Sequence, residues 1–388
     1  MGCGAFAGIS PAPLPTMRVG LLAPLLERIP PGNYGGTERV MAWLADELVA
    51  LGLDVDLFAS GDCDTRARLV SLVPRALWHD EGIRDYTAVR VAALARAYAI
   101  AAVDVMHDHA ELLAYPLARA AAFPTVSTLH SRTDTRECAF VYDEFREHPL
   151  VAISHAQRRP LPKANWVATV HHGMPADLYR PSYARGSYLA FVGRIAPEKG
   201  VHLAIEVARR TGLPLKIAGR PPLEEWKYLE ARTDHEYYET MVRPYLGTDG
   251  IEYVGELDDA GKQDLYEGAL ALLFPIDWPE PFGLVLIEAM ACGTPILARP
   301  RGSVPEIVTD GVNGFHCEDV GEMTLALDRI DRIDREACRR EFDARFTARR
   351  MALDYLAVYE RMTARAVRAT EAEPESEPGE PTELGRSR

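Results

Sequence analysis

Lysine is almost missing from this chain of 388 residues, with five lysines against 38 arginines. A lysine inside a motif is therefore not background composition. Long apolar runs are missing too: none reaches the ~18 to 20 residues that a membrane-spanning helix needs, which excludes a transmembrane segment. The six cysteines, Cys3, Cys63, Cys138, Cys292, Cys317 and Cys338, include no close pair. That spacing argues against a disulfide frame or zinc knuckle and for reduced thiols in a cytoplasmic protein. Positive charge is also short: the formal net charge is −14, and residues 371 to 388, with six Glu and two Arg, hold only part of it. An acidic body argues against a nucleic-acid footprint and is neutral about small-molecule substrates.

What is present is ordinary for a soluble globular chain, with 47% hydrophobic and 26% charged residues. The length suits two domains of roughly 150 to 200 residues. Residues 1 to 16 lack the basic start and apolar run of a signal peptide, and Phe6 breaks the myristoylation pattern; they read as a disordered leader before Met17. At the other end, residues 365 to 388 read as a disordered acidic tail, too poor in apolar groups to offset ordering.

Between these ends, short apolar runs alternate with helical patterns, the mark of parallel sheets built from βα units. Expected strands are 18–24, 54–60, 103–109, 124–130 and 150–154, then 188–194, 214–220, 251–255, 270–276 and 295–299. Val40, Leu44, Leu48 and Leu51 recur at helical spacing between the first two. The pattern lapses at "ADLYRPSYARGS", so the domains are expected at 17–175 and 188–346, with 176–187 as linker and hinge. Two doubly wound domains in tandem are the simplest account. Open parallel sheets bind ligands beyond the carboxyl ends of their strands, where "GNYGG", Asp108, His109, His130, Arg194 and residues 277 to 280 fall.

The segment "WPEPFGLVLIEAMACGTP" sets Glu280 and Glu288 eight residues apart around an apolar run. Pro281 suits the first turn of a helix, which would leave the N–H groups of Phe282, Gly283 and Leu284 to hold a phosphate. Eight helical residues span about 12 Å, more than the ~5 to 9.5 Å between paired carboxylates of a glycosidase. The glutamates are therefore expected to address different parts of one ligand as hydrogen-bond acceptors for sugar hydroxyls. A buried amphipathic helix capped by Glu280 is the plain alternative.

"GRIAPEKG" supplies Arg194 and Lys199, able to reach one anion, or else to decorate a solvated helix start. "PPGNYGGTERV" places Gly35 and Gly36 before Thr37 at a helix start, where backbone can approach a ligand or simply turn tightly. It is neither GxGxxG nor a Walker sequence, which counts against a dinucleotide-dependent oxidoreductase. In "HDH", His107 and His109 share a strand face, but no third ligand is evident, so no metal site is assigned. His130 stands at a strand end and suits either a sugar contact or a structural hydrogen bond. His171 and His172 in "VHHGM" are assigned no chemistry.

In this order the stretches "GNYGG", "HDH", "LHS", "ISHAQR", "HHG", "GRIAPEKG", "IAG", "YVGEL" and "EPFGLVLIEAMACGTP" resemble glycosyltransferase family 4, retaining nucleotide-sugar transferases of the GT-B fold. The resemblance covers most of residues 17 to 362 and rests chiefly on the two-glutamate block with "GRIAPEKG". It implies two Rossmann-like domains facing across a cleft, with donor nucleotide on the second and acceptor on the first. It implies that Arg194 and Lys199 hold the donor diphosphate, Glu288 the ribose hydroxyls, and Glu280 the transferred sugar, with Glu280 and His130 as the catalytic pair. Phe282, Gly283, Leu284, Gly35 and Gly36 would help bind the donor, Asp108, His109 and Thr37 would lie on the acceptor side, and a last helix near 347–362 would cross back to the first domain. No cofactor and no metal is implied, with cationic side chains in place of a divalent ion. The reaction implied is sugar transfer from a nucleoside diphosphate sugar to an acceptor hydroxyl, with related enzymes often acting at membranes. The alternatives are a phosphorylase of the same fold and a non-catalytic sugar- or nucleotide-binding subunit.

Overall fold

The computed structural model describes residues 17–32, 35–220 and 229–372. The expected leader 1–16 and residues 373–388 of the expected tail lie outside these described residues. The first sheet comprises β1 (Arg18–Leu22), β2 (Asp54–Ser60), β3 (Arg68–Val73), β4 (Val105–Asp108), β5 (Thr125–Thr128), β6 (Leu150–Ala152) and β7 (Trp166–Thr169). These lie in the order 3-2-1-4-5-6-7, all parallel. The second sheet comprises β8 (Tyr188–Val192), β9 (Leu215–Ala218), β10 (Ile251–Gly255), β11 (Ala269–Phe274), β12 (Ile296–Ala298) and β13 (Gly314–His316). Its order is 10-9-8-11-12-13, again all parallel. Both sheets therefore reverse winding beside their first strand, at β1/β4 and at β8/β11, and a doubly wound sheet opens its ligand crevice at that switch.

Central strands are covered on both faces, so they read as unbroken apolar runs: all six residues of β11 are buried. The sequence reading misses β3, β7 and β13 because they sit at sheet edges, where half-exposed or very short strands lose that signal. The helix Gly36–Ala50 turns Val40, Leu44 and Leu48 into the first core, while Leu51 falls just past its end and is half-buried. Truncating Leu44 to Ala would cost about 2 to 5 kcal/mol.

The terminal helix Ala348–Ala372 crosses back and inserts Met351, Tyr355, Tyr359 and Met362 into the first domain's core. It runs ten residues beyond the expected 362, so residues 365–372, expected in the tail, are helical. Their Ala- and Arg-rich composition favours helix.

The linker 176–187 is packed onto the second domain rather than slack. Tyr179 is fully buried there, the Arg180 N–H donates to Gln263 Oε1 at 2.7 Å, and the Ser182 N–H donates to the Cys292 carbonyl at 3.0 Å. The two chain crossings instead lie side by side just before it, where Met174 and Thr347 form a bridge. A Cβ on Gly173 would stand 2.2 Å from the Thr347 carbonyl oxygen, so only glycine lets the crossings touch.

Candidate active site

The carboxyl ends of both sheets open onto one cleft of about 520 Å³. Its second-domain wall is charged. Lys199, following β8, donates to Glu280 Oε2 at 2.7 Å, and Trp278 Nε1 donates to the same oxygen at 3.0 Å. The Lys199 ammonium also stands 4.3 Å from the centre of the Trp278 ring. Both bonds fall on Oε2, so Oε1 is the oxygen left to a ligand. Arg194 lines the cleft as well, but its guanidinium is held by Asp234, at 2.7 Å, and by Glu198. An anion entering here competes with carboxylates for both cations.

Glu280 is pinned through its backbone. Its carbonyl accepts from the Ser303 N–H at 2.9 Å, and Ser303 Oγ donates to the Phe282 carbonyl at 2.8 Å. Gly302 makes this possible: a Cβ there would lie 2.3 Å from the Glu280 carbonyl oxygen, and its φ of 57° is left-handed. The loop is thus held from behind, away from the cleft.

The helix that follows starts later than the sequence reading expects. It spans Leu284–Ala291, with Gly283 in the left-handed region as its cap, so Pro281 and Phe282 precede it in an irregular segment. Glycine at a helix start outweighed the proline signal. The first-turn N–H groups are those of Leu284 and Val285, which line the cleft, while the Phe282 side chain is buried against His172 and Phe346. Glu288 lies on the helix's second turn rather than two turns in, and half of the interval from Glu280 is not helical, so the 12 Å separation has no basis. Glu288 is 2% exposed, with Lys262 Nζ at 2.8 Å on Oε1 and the Tyr266 hydroxyl at 2.9 Å on Oε2.

The first-domain wall is built of backbone and neutral rings, with Arg39 and Arg132 as its charged members. Gly35, Gly36 and Thr37 line the cleft at the start of helix Gly36–Ala50, and Gly36 faces Leu284 across it: a Cβ on Gly36 would meet Leu284 Cδ1 at 3.4 Å. Two helix N-termini thereby face the same space from opposite domains. His130 follows β5, its N–H and that of Ser131 both donating to Glu111 Oε1 at 3.0 and 3.2 Å. Its Nε2 is hydrogen-bonded to His109 Nδ1 at 2.8 Å, and its ring stacks on His172 with centroids 5.3 Å apart. Burial drives the His130 pKa down to about 3 and those of His109 and His172 well below the ordinary value, so these rings are neutral.

The structure does not bring Asp108 and His109 to the cleft as acceptor-side residues. Asp108 is fully buried, accepting from the Ala110 N–H and Ser127 Oγ at 2.7 Å each, and burial raises its pKa to about 7. His109 reaches the cleft only through His130. His107 has both ring nitrogens on hydroxyls, Tyr359 and Thr128 at 2.7 Å each, a structural role. His172, assigned no chemistry from sequence, does line the cleft, as do Arg39, Lys262 and Trp278. Lys262 had a readable signal, the same scarcity of lysine that marks Lys199; the others had none. A D-x-D triplet, Asp62 to Asp64, follows β2, but it lies outside the cleft and Asp62 binds the Ala76 N–H. Among the described residues, no group of three His, Cys, Asp or Glu is arranged for a metal ion, and no helix is long and apolar enough to cross a membrane.

Comparison with known proteins agrees with this architecture. The family model "Glycosyltransferase Family 4" matches residues 34–197 and "Glycosyl transferases group 1" matches residues 181–347. D-inositol 3-phosphate glycosyltransferase of Kribbella flavida is 27% identical over 342 residues, 73% of this chain and 79% of its own. Glycogen synthase of Mycobacterium tuberculosis is 29% identical over 297 residues, 66% of this chain and 69% of its own. The crystal structure of Anabaena HepE in complex with UDP and glucose superposes with a TM-score of 0.68 at 17% identity, covering 89% of this chain and 99% of that one. With both halves matched in turn and a cleft between two parallel-sheet domains, the chain belongs to the family 4 type of glycosyltransferases, built on the GT-B fold.

Proposed function

We propose that this glycosyltransferase moves a hexose-like sugar from a nucleoside diphosphate sugar to an acceptor hydroxyl with retention of anomeric configuration, without a metal ion. The observation that carries this reading is the convergence of Lys199, Glu280 and the opposed helix starts at Gly36 and Leu284 on one cleft. Lys199, Arg194 and the helix N–H groups suit a departing diphosphate, whose charge grows as its bond to the anomeric carbon breaks. Glu280 Oε1 suits a hydroxyl of the transferred sugar, and neutral His130 lies on the opposite wall. The acceptor oxygen bonds the anomeric carbon on the face the diphosphate leaves, and the acceptor proton passes to a diphosphate oxygen. Neither side chain need form a covalent intermediate.

UDP and glucose in the Anabaena complex support a nucleotide-sugar donor here. The two curated relatives differ in acceptor, an inositol phosphate in one name and glycogen in the other, so the acceptor is left as a hydroxyl. The test is a thermal-shift and donor-hydrolysis screen with UDP-, GDP-, ADP- and dTDP-sugars, with inorganic phosphate as a control for phosphorolysis. Stabilisation and slow hydrolysis by one donor are expected. No response to any nucleotide sugar would sink the reading.

A further inference from the structure

The helix Asp259–Glu267 carries no motif, yet one of its faces serves the cleft. Asp259, Lys262 and Tyr266 are spaced three and four residues apart, so they form one stripe. Lys262 and Tyr266 each hold a different oxygen of the Glu288 carboxylate, at 2.8 and 2.9 Å. Two donors from one helix fix the plane of that carboxylate and leave each oxygen a further lone pair for a ligand. Lys262 lines the cleft while Tyr266 is fully buried behind it. A carboxylate held at both oxygens is matched to two neighbouring hydroxyls rather than to one.

We propose that Lys262 and Tyr266 are positioning residues that set Glu288 to grip a vicinal diol, so that the site selects ribonucleoside over 2′-deoxyribonucleoside diphosphates. This rests on the reading of Glu288 as the nucleoside contact. A site arranged to bond a hydroxyl rejects the analogue lacking it, because a buried acceptor is left unpaired. Without the two donors the carboxylate can rotate, and the penalty for the missing hydroxyl disappears.

The test is calorimetric binding of UDP, ADP and GDP, and of the 2′-deoxy form of the tightest binder, to the wild type and to Lys262→Met, Lys262→Arg and Tyr266→Phe. The wild type is expected to prefer the ribonucleotide at least about tenfold. Lys262→Met and Tyr266→Phe lose most of that preference, weakening the ribonucleotide more than the deoxy form, and Lys262→Arg keeps it. In turnover, the two weakened variants raise KM for the donor with little change in kcat. An unchanged preference in both variants, or an equal loss of ribo and deoxy binding, overturns the proposal alone. A folded wild type that binds no nucleotide overturns the functional reading itself.

Discussion

The two walls of the cleft are made of different chemistry. The second-domain wall sets ion pairs in place before any ligand arrives: Lys199 with Glu280, Lys262 with Glu288, Arg194 with Asp234 and Glu198. The first-domain wall offers a glycine turn, imidazoles kept neutral by burial, and two arginines, Arg39 and Arg132, whose charges are paired with Asp259 and Asp134. A charged wall fits the part of a ligand that carries and gains charge, and a neutral wall fits a part that does not. Changes to the charged wall should therefore alter binding and turnover most, and changes to the His130 and His172 rings should leave nucleotide affinity alone.

The largest expected effect is at Glu280. Glu280→Ala is expected to lower kcat by about a hundredfold to a thousandfold, with nucleotide affinity by calorimetry nearly unchanged. Normal turnover would remove Glu280 from the reaction. Next comes Lys199→Ala, expected to weaken nucleoside diphosphate binding by about 10- to 100-fold, the range of a hydrogen bond to a charged group. Because Lys199 also pairs with Glu280, the double variant should lose less kcat/KM than the two single losses in kcat/KM combined; additive losses would deny the coupling.

The buried rings in that wall and behind it are tested by acid. His107 and His130 titrate near 3 in the folded chain, and His109 and His172 well below the ordinary 6.5. The unfolded chain takes up protons near pH 6.5 that these buried rings refuse. Their stabilising contribution is complete above that pH and declines as pH falls toward 3. Asp108, raised to about 7, and Glu111, also raised, work the other way, but four rings outweigh them. Tm should therefore fall from pH 7 to pH 5, and His107→Gln should lower the slope by about one proton. A Tm that is flat or rising toward acid would refute this account of the wall.

The smallest effect concerns the link between the walls. Arg39 on the first domain pairs with Asp259 on the second at 2.8 and 3.0 Å, and the Tyr179 hydroxyl donates to Asp259 at 3.1 Å. Asp259 is partly exposed, so Asp259→Asn is expected to cost only about 0.2 to 1 kcal/mol. Solution scattering should nevertheless show a slightly more open molecule. An unchanged scattering profile would mean that the pair does not hold the walls together.

Much of the fold was legible because buried parallel strands write themselves as apolar runs; β2 matches its expected span residue for residue. The edge strands β3 and β7 were not, since exposure mixes polar residues into them. At the site, Lys199, Glu280 and Glu288 were readable from residue type and spacing, and all three line the cleft. Asp108 was misplaced, because position at a strand end does not say which way a side chain turns. His172 and Arg39 were passed over because each is unremarkable until another domain packs against it.

By itself, the sequence determined the alternation of strands and helices, the glycine turns at the strand ends, and the scarcity that marks each lysine. Those are local properties, written in periodicity and side-chain type. Tertiary structure alone decided which charges meet: Lys199 and Glu280 are 81 positions apart, and Arg39 and Asp259 are 220 apart. It also decided where the EPFG helix begins and where the chain crosses between domains. Such pairings depend on two sheets presenting the same edge to one space, and no local pattern encodes that.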